Sequence, residues 1–240
     1  MTQLNDSDVS NNAIIYAKKC KDLKSESRLI LLKALKSKHW FNRANAAESL
    51  AYLGVKDEEA IDAICQLFGD KEGHDFSPEE SAIEALGIIG PEARKCVPQL
   101  IQMINGEFEG EKYETFIILI YESLSQIDVG SQEFIQVLIR GVNECRSVGI
   151  ANAIRHLTAF KSKSQAVLPI LEKFVDQDEW LDGDYMTNES DELILLKALY
   201  FIGGADHRLL FRYLEVLKKS DYYEGKLEAI KFEKSWLGNC

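Results

Sequence analysis

Residues 84–104 read EALGIIGPEARKCVPQLIQMI, and this stretch decides the fold. Ala85, Leu86, Ile88 and Ile89 put apolar side chains on one face at helical spacing. Gly90 can leave a helix and Pro91 cannot continue one. Upstream, in FSPEE, Ser77 is placed to cap, Pro78 suits the first helical position, and Glu80 completes a capping box. The spacing therefore predicts a helix over 78–89. A second helix follows, with Val97, Leu100, Ile101 and Ile104 on its apolar face and Asn105-Gly106 as its stop. Pro98 would cost about 3 kcal/mol in a helix interior but little near a start. The second helix is thus expected to begin near residue 96 after a short turn, and Pro169 sets the same expectation near 167.

The same pattern recurs. Stretches 46–70, 120–142, 150–175 and 193–217 each write two helical segments around a shared apolar anchor. The anchors Leu50, Leu86, Leu124, Ile154 and Leu199 are separated by 36, 38, 30 and 45 residues. A unit of two antiparallel helices at such a period marks an α-solenoid, because one hairpin cannot bury its apolar faces without a neighbour.

The Leu-Gly-x-Ile-Gly-Pro-Glu-Ala string beginning at Leu86, with the Val97-Pro98 that follows, resembles the HEAT repeat, in particular the HEAT-like variety also found in phycobilisome lyases. The resemblance is sharp over 77–105, fair over 41–70 and loose over 110–240, where the Gly-Pro link is missing. It implies an all-α, α-α superhelix of about five to six antiparallel hairpins, with second helices lining the concave side. The expected organisation is one repeat domain over 1–240, with capping helices at 1–40 and 219–240 around repeats at 41–218. In the last helix Leu227, Ile230 and Trp236 are expected to turn inward.

Composition narrows the function. Net charge is −11, yet residues 1–50 hold nine Lys/Arg against five Asp/Glu, so the acid lies in the remainder. Phosphate backbone would be repelled along most of such a chain, which argues against nucleic acid, whereas a basic protein would be attracted. The second helices offer Glu58, Glu59, Asp62, Gln99, Gln102, Glu133 and Gln136 as polar faces, so the concave surface is expected to be acidic to neutral. The polar N-terminus lacks a signal-peptide layout, and no apolar run nears membrane-spanning length, so a cytoplasmic location without membrane attachment is expected. Five cysteines in no CxxC spacing read as free, buried thiols of a reducing compartment.

No catalytic constellation is written. The four histidines lack partners at metal-ligand spacing, and no P-loop, GxGxxG or GxSxG occurs, so neither an enzyme nor a cofactor is expected. His156 reads as a packed or surface histidine rather than a ligand. Residues 176–192 carry eight acids and no Lys or Arg. From Asp178, the acids Asp182, Asp184 and Glu189 match positions of a calcium loop, but Trp180 occupies a ligand position, so a solvated acidic loop is the default. Links between repeats pair aromatics with acids. Asp178, Trp180, Asp182, Asp184, Tyr185, Tyr222 and Tyr223 are therefore the candidate partner-binding residues, ring contact giving affinity and charge giving approach rate. The resulting reading is a non-catalytic protein-binding module for a basic partner, as adaptor, scaffold or inhibitor. Its alternatives are an immunity protein against a basic toxin, or a bilin-lyase-like chaperone or enzyme.

Overall fold

The computed structural model describes residues 24–73, 77–104, 111–128, 130–144, 147–175, 191–204, 207–219 and 223–237. Their regular structure is helical, with no strand among the described residues. The chain forms two compact units, the first made of residues 1–108 and 122–129 and the second of 109–121 and 130–240.

The first unit holds α1 (Lys24–Ala34), α2 (Trp40–Tyr52), α3 (Glu58–Cys65), α4 (Pro78–Ile89), a 3-10 turn (Gly90–Cys96) and α5 (Val97–Ile104), with the last residues of α6 (Glu111–Ile127). Helix α4 has the bounds the sequence predicts. Ser77 accepts from the Glu80 amide and Glu80 accepts from the Ser77 amide, so the capping box is closed. Gly90 ends the helix at φ 80°, a conformation that glycine adopts without strain. Pro98 is the second residue of α5, directly after the 3-10 turn.

Helices α2 and α4 pack side by side through small residues. Ala44, Ala47 and Leu50 on one and Ala82, Ala85 and Leu86 on the other are fully buried. Further along, α4 nears α6 closely enough that a Cβ on Gly87 would lie 3.0 Å from the Ser123 Cα. The Ser123 hydroxyl donates to the Ile83 carbonyl at 2.9 Å, which satisfies a polar group inside this contact. First helices thus stack through small side chains, and Ile61 and Ile64 of α3 and Leu100 and Ile101 of α5 are buried as well.

The second unit takes the start of α6, then α7 (Gln132–Glu144), α8 (Ser147–Phe160), a 3-10 turn (Lys161–Val167), α9 (Leu168–Val175), α10 (Asp191–Ala198) with a π turn (Leu199–Gly203), α11 (Arg208–Lys219), α12 (Tyr223–Phe232) and a closing π turn (Glu233–Leu237). Pro169 again follows a 3-10 turn as the second residue of its helix. Gly204, at φ 100°, ends the segment begun by α10. Tyr121 and Phe134 are fully buried, with ring centroids 6.4 Å apart, and His156 packs edge-on to Tyr121 at 6.3 Å. His156 is thus a packed side chain.

Two expectations are corrected. Cys65 and Cys96 form a disulfide and are not free thiols. Stacking of successive hairpins brings together side chains 31 residues apart, a relation that sequence spacing does not display. In the last helix, Ala229 and Phe232 are the buried residues, while Ile230 is 45% and Trp236 38% exposed. Ile230 lies within α12 itself, off the buried stripe that runs through Ala229 and Phe232, while Trp236 lies in the π turn after Phe232, where the helical register changes. Trp236 instead stacks on Phe232 at 6.0 Å and meets Phe201 edge-on at 5.1 Å.

Candidate functional site

Helix α3 is short, and its composition is divided by face. Ala60, Ile61 and Ile64 are buried, which leaves Glu58, Glu59 and Asp62 outward. Their side chains are 84%, 72% and 58% exposed. With Leu32 and Lys36 of α1 and with Ala63 and Gln66, these acids line an open cavity of about 480 Å³. Leu32 and Ala63 supply apolar lining and the acids supply charged lining. No group of three or more His, Cys, Asp or Glu suited to a metal ion occurs among the described residues.

The acids are partly neutralised from neighbouring hairpins. Lys95 Nζ lies 2.5 Å from Asp62 and 3.5 Å from Glu58. Its pKa is raised, chiefly by the hydrogen bond to Asp62. On the other flank, Arg28 lies 2.6 Å from Asp57 and 2.5 Å from Glu59. Asp57 also caps α3 by accepting from the Ala60 amide, and the Arg28 guanidinium lowers its pKa to about 2. Further rungs join Arg43 to Asp70, Lys56 to Glu92 and Arg94 to Asp128. Sequence reasoning found the acids but missed their cations. The signal was present, since Glu58 and Lys95 lie 37 residues apart and Lys56 and Glu92 lie 36 apart, one repeat in each case.

The expected polar faces are distributed unevenly. Glu58, Glu59 and Asp62 come together in the first unit, and Gln99 and Gln102 are exposed on α5. In the second unit Glu133 and Gln136 are exposed on α7, while α11 turns Arg208, Phe211 and Arg212 outward. Of the candidate aromatic-acidic residues, Asp178, Trp180, Asp182, Asp184, Tyr185 and Tyr222 lie outside the described residues, as does the candidate calcium loop. Tyr223 opens α12.

Among the described residues, no helix is long and apolar enough to cross a membrane. No curated protein matches the chain. In fold, the chain is similar to the structure of the CpcE–CpcF complex of phycocyanin lyase from Nostoc sp. PCC7120, with a TM-score of 0.52, 17% identity, and coverage of 98% of this chain and 96% of that one. A designed armadillo repeat protein is also similar, with a TM-score of 0.49, 17% identity, and coverage of 83% and 95%. The chain therefore has the all-α fold of helical-repeat solenoids, and its residues 43–70, which contain most of α2 and the acids of α3, match the PBS lyase HEAT-like repeat.

Proposed function

We propose that the chain is a non-catalytic protein-binding module whose acidic second-helix surface in the first unit receives a basic segment of a partner protein. The observation that carries this reading is the α3 face: Glu58 and Asp62, one helical turn apart, line an open cavity together with Leu32 and Ala63. An arginine or lysine side chain can lay its apolar stem on Leu32 and Ala63 while its charged end meets the acids. Opposite charge raises the rate of encounter, and apolar contact slows departure. The solved phycocyanin lyase structure is itself a complex of two proteins, which agrees with a protein partner. The reading also keeps Asp178, Trp180, Asp182, Asp184, Tyr185, Tyr222 and Tyr223 as a second contact region, on their acidic-aromatic composition. A cytoplasmic setting belongs to the same proposal.

The test is binding of a short labelled arginine-leucine peptide to the intact chain at low and high salt. Saturable binding that weakens with salt and is lost in the Glu58→Lys/Asp62→Lys variant supports the reading. Equal binding by that variant removes the α3 site, and a Trp180→Ala/Asp182→Asn/Tyr185→Ala variant tests the second region in the same assay.

A further inference from the structure

The two ends of the Cys65–Cys96 bond sit in different surroundings. Cys65 is the last residue of α3, just before a turn in which Gly69 stands at φ 88°, and it is half-buried. Helix ends open locally more readily than helix bodies. Cys96 lies inside a continuous helical run, where the 3-10 turn passes into α5, and it is 2% exposed. Its neighbours at i−3 and i+4, Ala93 and Leu100, are fully buried. One end of the bond is thus within reach of solvent, and the other lies among buried apolar residues.

Cys65 also has a defined place on α3. It follows Asp62 by three residues and Glu58 by seven, so at about 100° per residue it stands on their side of the helix, next to the lining of the acidic cavity. The same two acids hold Lys95, the residue before Cys96. The covalent bond and this ion pair are therefore parallel ties between α3 and the 3-10 turn. Lys56, just before α3, adds a third through Glu92. Opening the covalent tie leaves the others in place, so exchange does not require the hairpins to part.

We infer that the Cys65–Cys96 bond is a thiol-exchange site, entered at Cys65 by a small thiol or a dithiol, which places a covalent adduct beside the acidic cavity. The incoming thiolate forms a new S–S bond with Cys65 Sγ. The Cys65–Cys96 bond breaks, and its electron pair leaves on Cys96 Sγ, which then takes a proton from water. Apolar surroundings favour the neutral thiol, a poor nucleophile, so Cys96 is slow to expel the adduct. With a dithiol, the second thiolate attacks the adduct and releases Cys65, so the reagent is oxidised to its disulfide and the two cysteines are reduced. In the cytoplasmic setting proposed above, a disulfide is typically transient or redox-sensing rather than permanent. The site does not depend on what the cavity binds.

The experiment uses the full chain, unreduced, with its free thiols first blocked by N-ethylmaleimide. The blocked protein is incubated with cysteamine, trapped with excess isotopically heavy N-ethylmaleimide, digested without reductant and read by mass spectrometry. At early times cysteamine should sit on Cys65 and heavy maleimide on Cys96, with the adduct on Cys65 exceeding that on Cys96 about tenfold or more. The rate should rise with thiol concentration and stay flat in urea well below the unfolding midpoint, as for a bond reached by local opening. A second measurement compares single-thiol variants peptide by peptide. Cys65 in Cys96→Ser should be alkylated about tenfold faster than Cys96 in Cys65→Ser, with circular dichroism verifying that both are folded. The inference is overturned if the adduct forms mainly on Cys96, if exchange begins only with global unfolding, or if the first maleimide step already labels both cysteines.

Discussion

Lys95 reaches back one repeat to Asp62, its Nζ 2.5 Å from the carboxylate, so an acid that lines the cavity already holds a cation supplied by the chain itself. A basic ligand must share or displace that cation. Both partners are solvent-facing, and an exposed pair of this kind is readily exchanged.

Lys95→Met should therefore tighten binding of the arginine-leucine peptide severalfold while changing the melting temperature little. Anisotropy titration beside a thermal melt measures both. Weaker binding in Lys95→Met would show that this lysine contributes to the contact instead of competing with it.

The Cys65–Cys96 bond closes a loop across two hairpins, and a crosslink of this span is worth about 2–4 kcal/mol. Reduction, or Cys65→Ser, should lower the urea midpoint accordingly. Because two of the chain's five cysteines are bonded, thiol titration of unreduced, unfolded protein should count no more than three free thiols.

Gly141 tests the core of the second unit. A Cβ there would lie 2.1 Å from the Tyr121 hydroxyl oxygen. Gly141→Ala should destabilise the protein by about 1–3 kcal/mol. Adding Tyr121→Phe removes the obstructing oxygen and should restore much of the loss, a coupling that a double-mutant cycle reads directly.

Stability should fall with acid in two stages. Burial, reinforced by Arg155, lowers the His156 pKa to about 4, so the unfolded chain binds its proton first. That contribution is present above the ordinary histidine range of about 6.5 and is lost as pH falls toward the folded value. Asp57, lowered to about 2 by Arg28, acts between its ordinary value and that pH, and solvent screening keeps it below about 1 kcal/mol. Denaturation midpoints from neutral pH to pH near 3 should show the first stage disappear in His156→Gln.

What could be read from the sequence was what depends on local backbone chemistry. The Ser77–Glu80 box, the Gly90 exit and the turns before Pro98 and Pro169 each follow from a few adjacent residues, and the buried anchors Leu50, Leu86, Leu124, Ile154 and Leu199 follow from periodicity. Relations across the stack were harder to see. Cys65 with Cys96, and Lys95 with Asp62, depend on how one hairpin is rotated against the next. The Arg208–Phe211–Arg212 face had a visible signal, since Phe211 falls outside the stripe formed by Leu210, Tyr213, Leu214 and Leu217. Trp236 was misplaced because a π turn breaks the assumed period, and Ile230 because the buried stripe of α12 runs through Ala229 and Phe232 instead.

The inter-hairpin ion pairs have a kinetic consequence. Those described join residues between 27 and 40 positions apart, from Arg43–Asp70 to Arg212–Glu172. Contacts of such modest separation close small chain loops, so low contact order should let each unit refold quickly after denaturant is diluted. Nascent hairpins can then latch onto the preceding one as the polypeptide leaves the ribosome, without waiting for distant sequence to be synthesised.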